Sequence, residues 1–335
     1  MDSLTHIVIG AAVGQATLGK RLGRKALFWG ALAATIPDFD VVVGPFVDPT
    51  REIFIHRGFS HSIVFAMLAA PLVGWLAMRV HSKYRIPHYQ WFGLVLLCLL
   101  SHITLDVFNT YGTGVLYPIS QHRFAFDSMA IVDIFLVLPL IAALAFLIAK
   151  WSSHRLRQWV AWGAIGFTAL YLGYSAINKL SVEQEVERQL AQQGIDYQRV
   201  RTSPLPLTNL LWLTLAEDST GYHMGYMATT DNESIRFTHI PRNNHLLDTL
   251  INHRNVRELI RFSEGYYTIT TDSLGSLWFH DLRFGSMAFH QEEGWYVFSF
   301  NLNTNEGGVR VSRASPNRRF SWENALIYFR RIGWS

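Results

Sequence analysis

The first 178 residues of this chain contain six apolar segments separated by short polar loops. The last four segments approach the ~20 residues that a helix needs to cross a bilayer. The first two are shorter and rich in Gly and Ala, which predicts a tilted or half-inserted pair packed against the others, because small residues let helices approach closely. The segments cover about residues 4–18, 26–37, 61–78, 91–107, 131–149 and 159–177.

A large soluble all-helical core is the alternative explanation for these segments. Charged residues make up only 16% of the chain, against roughly 25% in ordinary soluble domains. Four long apolar runs separated by loops with charged residues are difficult to place in a soluble fold. We therefore predict a membrane all-α bundle of about six transmembrane or membrane-inserted helices over residues 1–178.

The loops between the segments differ in their content of Lys and Arg. Loops 19–25, 79–90 and 150–158 hold ten of these residues, whereas loops 38–60 and 108–130 hold three. The positive-inside bias places the ten-charge side in the cytoplasm. We therefore expect a multi-pass protein of the bacterial inner membrane, with the N-terminus and the chain after residue 178 on the periplasmic side.

The remainder of the chain, residues 179–335, has the pattern of a soluble domain. Aromatic and β-branched runs such as GYHMGYMAT and GWYVFSFNL alternate with Gly, Asp and Asn, which is typical of antiparallel strands and turns. One helix is predicted at about 243–262, and the tail 319–331 is predicted to form a short strand or helix. This pattern indicates a periplasmic or other extracytoplasmic α+β domain rich in antiparallel strands.

Charge and cysteine content exclude two further classes. The net charge is only +4 and the basic residues are scattered among loops, so nucleic acid is not an expected partner. Cys98 is the single cysteine, so no disulfide can form within the chain. The start, MDSLTHIVIGAAVG, lacks a basic n-region and a clear cleavage site, so we expect it to be retained.

Histidines and aspartates recur at the segment ends that are predicted to face the periplasm. The topology was assigned from Lys and Arg alone, so this agreement is partly independent of it. The motifs, in chain order, are DSLTH (Asp2 and His6), PDFD (Asp38 and Asp40), HRGFSHS (His56 and His61) and SHITLD (His102 and Asp106), and His122, Asp127 and Asp133 lie around the start of the fifth segment.

Imidazole and carboxylate groups are the ligands of zinc, manganese and iron. A His and an Asp four residues apart on a helix share one face, so both can reach one ion. Two ions about 3.5–4 Å apart suit phosphoester hydrolysis, because one activates water and both stabilise the developing charge. Seven candidate ligands are enough for two or three ions that share carboxylates: His6, Asp38, Asp40, His56, His61, His102 and Asp106.

Each of these motifs taken alone has an ordinary structural explanation. A single His near a membrane surface usually makes a hydrogen bond, and PDFD alone is more often a turn. However, acidic groups beside membrane helices are costly, so several at one level require a cation or a proton pathway. A proton- or ion-coupled transporter is therefore the main alternative to a metal centre.

The order DxxTH, PDxD, HRGxSHS and HxxxD followed by NTYGT resembles the bacterial membrane-bound, metal-dependent hydrolase family, some members of which are described as LexA-regulated. The resemblance covers about residues 1–135 and the apolar remainder to 178. In ligand order this family is similar to zinc-dependent phospholipase C and P1-type nucleases. The resemblance implies a hydrolase that uses a divalent metal, zinc above manganese or iron, with two or more ions.

The resemblance also implies roles for individual residues. His6, Asp38, His56, His61, His102 and Asp106 correspond to metal ligands. Asp40 corresponds to a ligand or to the general base that takes a proton from the attacking water, and Asp2 to a partner that orients His6. Arg57 and Arg123 are expected to hold a phosphate, and Asn109 and Tyr111 to line the site.

We therefore expect a hydrolase that cleaves a phosphoester, in a lipid or a lipid-linked substrate, with membrane lipids as its surroundings. The oligomeric state stays open. Two other classes are kept as alternatives: the coupled transporter, and a non-catalytic, metal-stabilised membrane scaffold that acts through its C-terminal domain.

Overall fold

The computed structural model describes residues 1–149, 153–230, 233–286, 296–305 and 308–313. The chain folds into two compact units. The first unit contains Met1–Pro45, Ile55–Ala176 and Pro206–Thr208, and the second contains Phe46–Phe54, Ile177–Leu205 and the chain from Asn209 onward. The short segment Phe46–Phe54 groups with the second unit, although it lies between two segments of the predicted bundle.

Helices fill most of the chain up to residue 192, and every predicted apolar segment lies in one of them. The helices are α1 (Ser3–Leu22), α2 (Lys25–Thr35), a 3₁₀ helix that continues from it (Ile36–Phe46), α3 (Pro49–Ile55), α4 (Ile63–Val80), α5 (His88–Val107), α6 (Ile134–Ile148) and α7 (His154–Gln192). Ser62 and Asp133 cap α4 and α6 by accepting hydrogen bonds from backbone N–H groups of the first turn.

Among the residues that the structure describes, four helical stretches are long and apolar enough to cross a membrane. They are Lys25–Phe46, Ile63–Val80, His88–Val107 and His154–Gln192, and α6 is a shorter apolar helix. The structure therefore supports about four candidate membrane helices. The count of six stays a prediction.

The burial pattern of α4 opposes the soluble-core alternative. Its buried residues are small, namely Ala66, Ala70, Gly74 and Ala77. Large apolar side chains on the same helix, such as Leu68, are exposed; Leu68 is 63% exposed. In water this arrangement would leave a wide apolar surface uncovered, whereas in a bilayer the large side chains contact lipid and the small ones contact neighbouring helices.

The helices α1 and α2 pack in close contact through small residues, as their Gly and Ala content predicts. Gly10 and Gly14 form a GxxxG pair on α1, and they face Gly30 on α2. A Cβ atom added at Gly30 would overlap the carbonyl oxygen of Gly10, and one added at Gly14 would overlap that of Ala26. This contact sets the distance between the start of α1 and the end of α2.

We expect Gly30→Ala to destabilise the first unit by about 1–3 kcal/mol, because the added methyl forces the two backbones apart. Gly166→Ala on α7 is a matched control, since a Cβ there meets nothing within 4 Å. Unfolding in detergent by titrated SDS measures both variants. Equal stability of the two variants would contradict the packing described here.

The second unit contains two four-stranded antiparallel sheets, which confirms the predicted strand-rich α+β character of the C-terminal region. The first sheet has the order β1-β2-β3-β4 and the second β5-β6-β7-β8. Buried Leu213, Leu215 and Tyr222 belong to the core of the first sheet. The strands are β1 (Arg199–Pro204), β2 (Leu211–Glu217), β3 (Gly221–Ala228), β4 (Thr238–Pro241), β5 (Tyr267–Thr271), β6 (Leu277–Ser286), β7 (Tyr296–Asn305) and β8 (Gly308–Arg313).

The prediction of one helix at 243–262 was wrong in its extent. The structure has a short 3₁₀ helix, Asn244–Leu247, and then α8, Arg254–Phe262. Between them the backbone at His253 is extended, with φ −69° and ψ 136°. The intervening residues include Thr249, Ile251 and Asn252, which are weaker helix formers than Ala or Leu. The predicted element at 319–331 lies outside the described residues.

We expect the stability of the second unit to depend on pH because of the imidazole of His280 on β6. Its ring nitrogens lie 2.8 Å from Thr270 Oγ1 and 2.7 Å from Ser299 Oγ. Burial lowers the pKa of His280 to about 4, whereas an unfolded His has a pKa of about 6.5. Between these values the unfolded chain binds a proton that the folded chain does not, so stability falls as the pH drops from 6.5 towards 4.

The expected loss over that range is on the order of 3 kcal/mol. Urea unfolding of the second unit, followed by circular dichroism between pH 7.5 and pH 4.5, measures it. We expect His280→Gln to flatten the profile and the exposed His245→Gln to leave it unchanged. A wild-type profile as flat as that of His280→Gln would refute this prediction.

Candidate metal centre

Four helices of the first unit place the predicted ligands at one end. His6 lies near the start of α1, and Asp38 and Asp40 lie in the 3₁₀ helix that follows α2. His61 ends the 3₁₀ turn Phe59–His61 immediately before α4. His102 and Asp106 occupy the last two turns of α5. The site therefore lies at one end of the unit, where the starts of α1 and α4 meet the ends of α2 and α5.

Five of the seven predicted ligands converge there: His6, Asp38, His61, His102 and Asp106. All of them are fully buried except Asp38, whose side chain is 14% exposed. Nε2 of His61 lies 3.0 Å from Nε2 of His102. These two nitrogens lie 3.3 and 3.4 Å from Oδ2 of Asp106 and 3.4 and 3.6 Å from Oδ1 of Asp38.

The tautomer of His102 is fixed by the protein backbone. Its Nδ1 lies 2.6 Å from the carbonyl oxygen of Ala34, and a carbonyl can only accept a hydrogen bond. Nδ1 therefore carries the proton, and the lone pair of Nε2 is directed at the cluster. A backbone carbonyl behind the opposite ring nitrogen is the usual arrangement of a metal-binding histidine.

The buried imidazole of His6 lacks the hydrogen bonds that it needs. It stacks on His102 with ring centroids 3.6 Å apart, and its Nε2 lies 3.3 Å from Oδ1 of Asp106. Within the described part of the chain, neither ring nitrogen makes a hydrogen bond of good geometry. A buried polar group without a partner is costly, and a cation held jointly with Asp106 would satisfy it.

The spacing of the donor atoms fits an ion of the size of zinc. A tetrahedral ion with bonds of about 2.0–2.1 Å holds its ligand atoms about 3.3 Å apart. The distances between nitrogen and oxygen in the cluster run from 3.3 to 3.6 Å. The donor set, with three imidazoles and two carboxylates, also suits zinc, manganese or iron.

The other two predicted ligands, Asp40 and His56, lie behind His61. Oδ2 of Asp40 lies 3.4 Å from Nδ1 of His61, and Oδ1 lies 2.9 Å from Nδ1 of His56. Ser60 donates a hydrogen bond of 2.7 Å to the same carboxylate. The structure therefore groups Asp40 with the outer nitrogen of His61, in the position from which a carboxylate orients a metal-binding histidine.

Arg57 is turned inwards against the cluster. It is only 3% exposed, and its Nε lies 3.4 Å from Oδ2 of Asp106. Its Nη1 donates to Oδ1 of Asn109 at 2.5 Å, and the guanidinium stands 5.0 Å from the ring centroid of Tyr111. Its backbone φ is +59°, a left-handed conformation that is uncommon for residues other than Gly. This conformation turns the chain between His56 and His61.

The remaining predicted residues lie at the edge of this cluster. Arg123 donates hydrogen bonds to the carbonyl oxygens of His56 and Gly112, and its guanidinium lies 5.3 Å from the centroid of Tyr111. The carboxylate of Asp2 caps α1 by accepting hydrogen bonds from the backbone and hydroxyl of Thr5. The Asp2 carboxylate is therefore hydrogen-bonded to Thr5, whereas the resemblance implied that it orients His6.

Three groups in or near the cluster were not found by sequence reasoning. Ser3 donates a hydrogen bond of 3.2 Å to Asp38, and the α-amino group of Met1 is hydrogen-bonded to Asp106. The carbonyl of Ala34 holds His102. Ser60, which bonds Asp40, is a fourth such group, and it is the one that lies inside a motif singled out from the sequence, HRGFSHS. Asp133, near which the sequence suggested further site residues, caps α6 and accepts hydrogen bonds from Tyr171.

Comparison with known proteins identifies the family of the helical region. The family described as YdjM inner membrane protein matches residues 1–182. The chain belongs to this family. The inner membrane protein YbcI of Escherichia coli (strain K12) is 33% identical over 123 residues, which cover 36% of this chain and 69% of YbcI. No solved structure matches this chain.

A second relative of this YdjM-family chain comes from Bacillus subtilis (strain 168). The uncharacterized protein YfhP is 29% identical over 205 residues, which cover 57% of each chain. The family and the E. coli relative are both described as inner membrane proteins, which agrees with the apolar helices of the first unit. Neither description names a reaction, so the hydrolase part of the sequence-based resemblance stays a prediction.

Proposed function

We propose that this chain is a metal-dependent hydrolase of the inner membrane that cleaves a phosphoester. The observation that supports the proposal best is the convergence of His6, His61 and His102 with Asp38 and Asp106 at one end of the first unit. The ring nitrogens of His6 add to it, because neither makes a hydrogen bond of good geometry to any residue that the structure describes. Such a set of buried donors has a high desolvation cost unless a cation is bound among them.

Two overlapping groups of donors would hold two ions, with zinc as the preferred metal and manganese or iron as substitutes. One group is His6, Asp38 and His102, and the other is His61, His102 and Asp106. Nε2 of His102 lies where the two groups overlap and offers one lone pair, so it would bind one of the ions, whereas a carboxylate such as Asp106 can bridge both. When bound, the ions would supply Lewis-acid activation of water and of the phosphoryl group.

The neighbouring side chains position these donors. Asp40 lies behind the ring of His61, near its Nδ1, so we propose that it orients this ligand rather than accepting the proton of an attacking water. Arg57 compensates the buried charge of Asp106, so we propose it as a positioning residue. Arg123 and Tyr111 come after the HRGFSHS segment in the sequence. We propose that they contact the phosphate of the substrate.

We further propose that the site faces the periplasm. The Lys and Arg asymmetry of the loops supports this orientation. The predicted ligands cluster at the ends of α1, α2, α4 and α5 opposite to the basic loops 19–25 and 79–90. In this orientation the site can take a lipid headgroup from the outer leaflet.

An apolar groove along α5 supports a lipid-linked substrate. It has a volume of about 220 Å³ and is lined by residues of α5 and of the chain around the start of α4, including Ile63, Ile103, Thr104 and Val107. Part of its lining lies in the last two turns of α5, which also carry His102 and Asp106. We propose that part of an apolar chain lies in this groove, whereas a soluble phosphoester does not need it.

We expect Thr104→Trp, which fills the groove from an exposed position, to raise KM about tenfold or more for a phospholipid substrate. The value of kcat/KM for p-nitrophenyl phosphate should stay within about twofold, because that ester lacks a chain. Leu97→Trp, at an exposed position on the same helix, is the control. Equal effects on both substrates would argue against lipid binding in the groove.

Phosphate release from a panel of phospholipids, isoprenoid phosphates and water-soluble phosphoesters tests the reaction itself. The protein is purified in detergent, stripped of metal and reloaded with zinc or manganese. Metal-dependent release from any member of the panel supports the proposal. No release from the panel, together with metal- or proton-driven flux in proteoliposomes, would replace the hydrolase with the transporter.

A further inference from the structure

A second cluster of donors lies in the second unit, far in sequence from the candidate metal centre. It consists of Asp218, His223 and His239, whose donor atoms all lie within 4.8 Å of one another. We infer that these three side chains form a separate binding site for a divalent transition-metal ion such as zinc. The inference does not depend on the proposed hydrolase activity.

The first sheet of the second unit brings the three residues together. Asp218 lies in the turn between β2 and β3, and His223 is the third residue of β3. His239 on β4 is the direct cross-strand partner of His223. Side chains of directly opposite residues project from the same face of a sheet, and the two imidazole centroids are 5.1 Å apart.

The turn fixes the orientation of the Asp218 carboxylate. Oδ1 accepts hydrogen bonds from the backbone N–H of Thr220 and Gly221 and from the hydroxyl of Thr220, at 2.6, 2.8 and 2.8 Å. Oδ2 is thereby directed at the two imidazoles. A carboxylate that is held through one oxygen and offers the other is preorganised as a metal ligand.

Distances around Oδ2 match the dimensions of a zinc site. Nε2 of His223 lies 3.0 Å from Oδ2, and Nε2 of His239 lies 3.3 Å from it. Ligand atoms of a tetrahedral zinc ion are separated by about 3.3 Å. The ligand atoms therefore already have nearly the required spacing, and an ion would replace the 3.0 Å hydrogen bond between Nε2 of His239 and Oγ1 of Thr220.

The composition and exposure of the cluster define what it can bind. Two imidazoles and one carboxylate select ions such as zinc, nickel or copper over magnesium and calcium, which prefer oxygen ligands. The His239 side chain is 38% exposed, so an ion and a chelator can both reach it. Three protein ligands leave the fourth position of a tetrahedral ion to water or to an external ligand.

A bound ion would connect the β2–β3 turn to β4, which is the four-residue edge strand of its sheet. Ligands that bind only the folded state stabilise it in proportion to their occupancy. We therefore expect zinc to slow hydrogen exchange in β4 at least severalfold, and magnesium to have no such effect.

Zinc stoichiometry of the full chain tests the inference. Tag-free protein in detergent is stripped with a chelator, equilibrated with micromolar zinc and analysed by elemental mass spectrometry. We expect His223→Asn/His239→Asn to lose one equivalent relative to the wild type, whereas His245→Asn, an exposed histidine of the same unit, loses none. The same one-equivalent difference should persist in a His61→Ala/His102→Ala background, which separates this site from the centre in the first unit.

Asp218→Asn is a second variant that separates loss of the metal site from loss of folding. It keeps an oxygen that can accept the hydrogen bonds of the turn, and it removes the charge. We expect it to weaken zinc binding at this site at least tenfold with an unchanged circular dichroism spectrum. Equal zinc content in the wild type and the double His variant, with zinc-independent exchange in β4, would overturn the inference and leave the cluster as a set of hydrogen bonds.

Discussion

His102→Ala is expected to lose metal-dependent phosphoester hydrolysis and to bind zinc in the first unit more than about 100-fold more weakly. Nε2 of His102 lies where the two groups of donors overlap and offers a single lone pair, so its removal takes away a direct ligand of one ion. Replacing even a residue that only supports a metal ligand costs about 10–100-fold in affinity or activity, and a direct ligand should cost more. Isothermal titration with zinc and the phosphate-release assay measure the two effects.

His122→Ala is the matched control for that experiment, because His122 is an exposed histidine of the same unit. It should retain the wild-type zinc affinity and turnover. The helical circular dichroism spectrum and the elution volume of His102→Ala should match those of the wild type, which excludes misfolding as the cause. Wild-type turnover in a folded His102→Ala protein would remove this cluster from the reaction.

The Arg57→Met variant is expected to destabilise the metal-free first unit by about 3–5 kcal/mol. Arg57 lies 3.4 Å from the fully buried carboxylate of Asp106, and breaking a buried ion pair by removing one partner leaves an uncompensated charge. The substitution keeps the apolar stem but removes the charge. SDS unfolding of chelator-treated protein in detergent measures the change.

Zinc should restore a substantial part of the stability of Arg57→Met, because the ion supplies the positive charge that Asp106 has lost. Arg21→Met is a suitable control, since Arg21 is an exposed arginine in the last turn of α1, within the first unit, and exposed charges of this kind contribute about 0–1 kcal/mol. An Arg57→Met protein as stable as Arg21→Met would show that Arg57 does not compensate Asp106.

Local rules of helices account for the part of the site that the sequence predicted. His102 and Asp106 are four residues apart on α5, so helical periodicity alone places both on one face. Polar residues at the ends of apolar helices were expected at one level, and His6 and Asp38 are found there. The small residues Gly10, Gly14 and Gly30 likewise predicted the close pair of helices.

The rest depends on conformations that the sequence does not signal. Asp38 and Asp40 are two residues apart in a 3₁₀ helix, and only the structure shows that one faces the cluster and the other faces the back of His61. The inward turn of Arg57 results from its positive φ, which is rare for Arg. Cross-strand pairs such as His223 and His239 depend on strand register, which the alternation of residue types does not specify.

The central claim is that the first unit holds a multinuclear metal centre. Elemental mass spectrometry of the tag-free His223→Asn/His239→Asn protein, dialysed against metal-free buffer after zinc loading, tests it without a contribution from the second unit. The account predicts two or more equivalents of zinc, manganese or iron per chain. No bound metal after resupply would contradict it and would make the coupled transporter the better explanation of the buried histidines and aspartates.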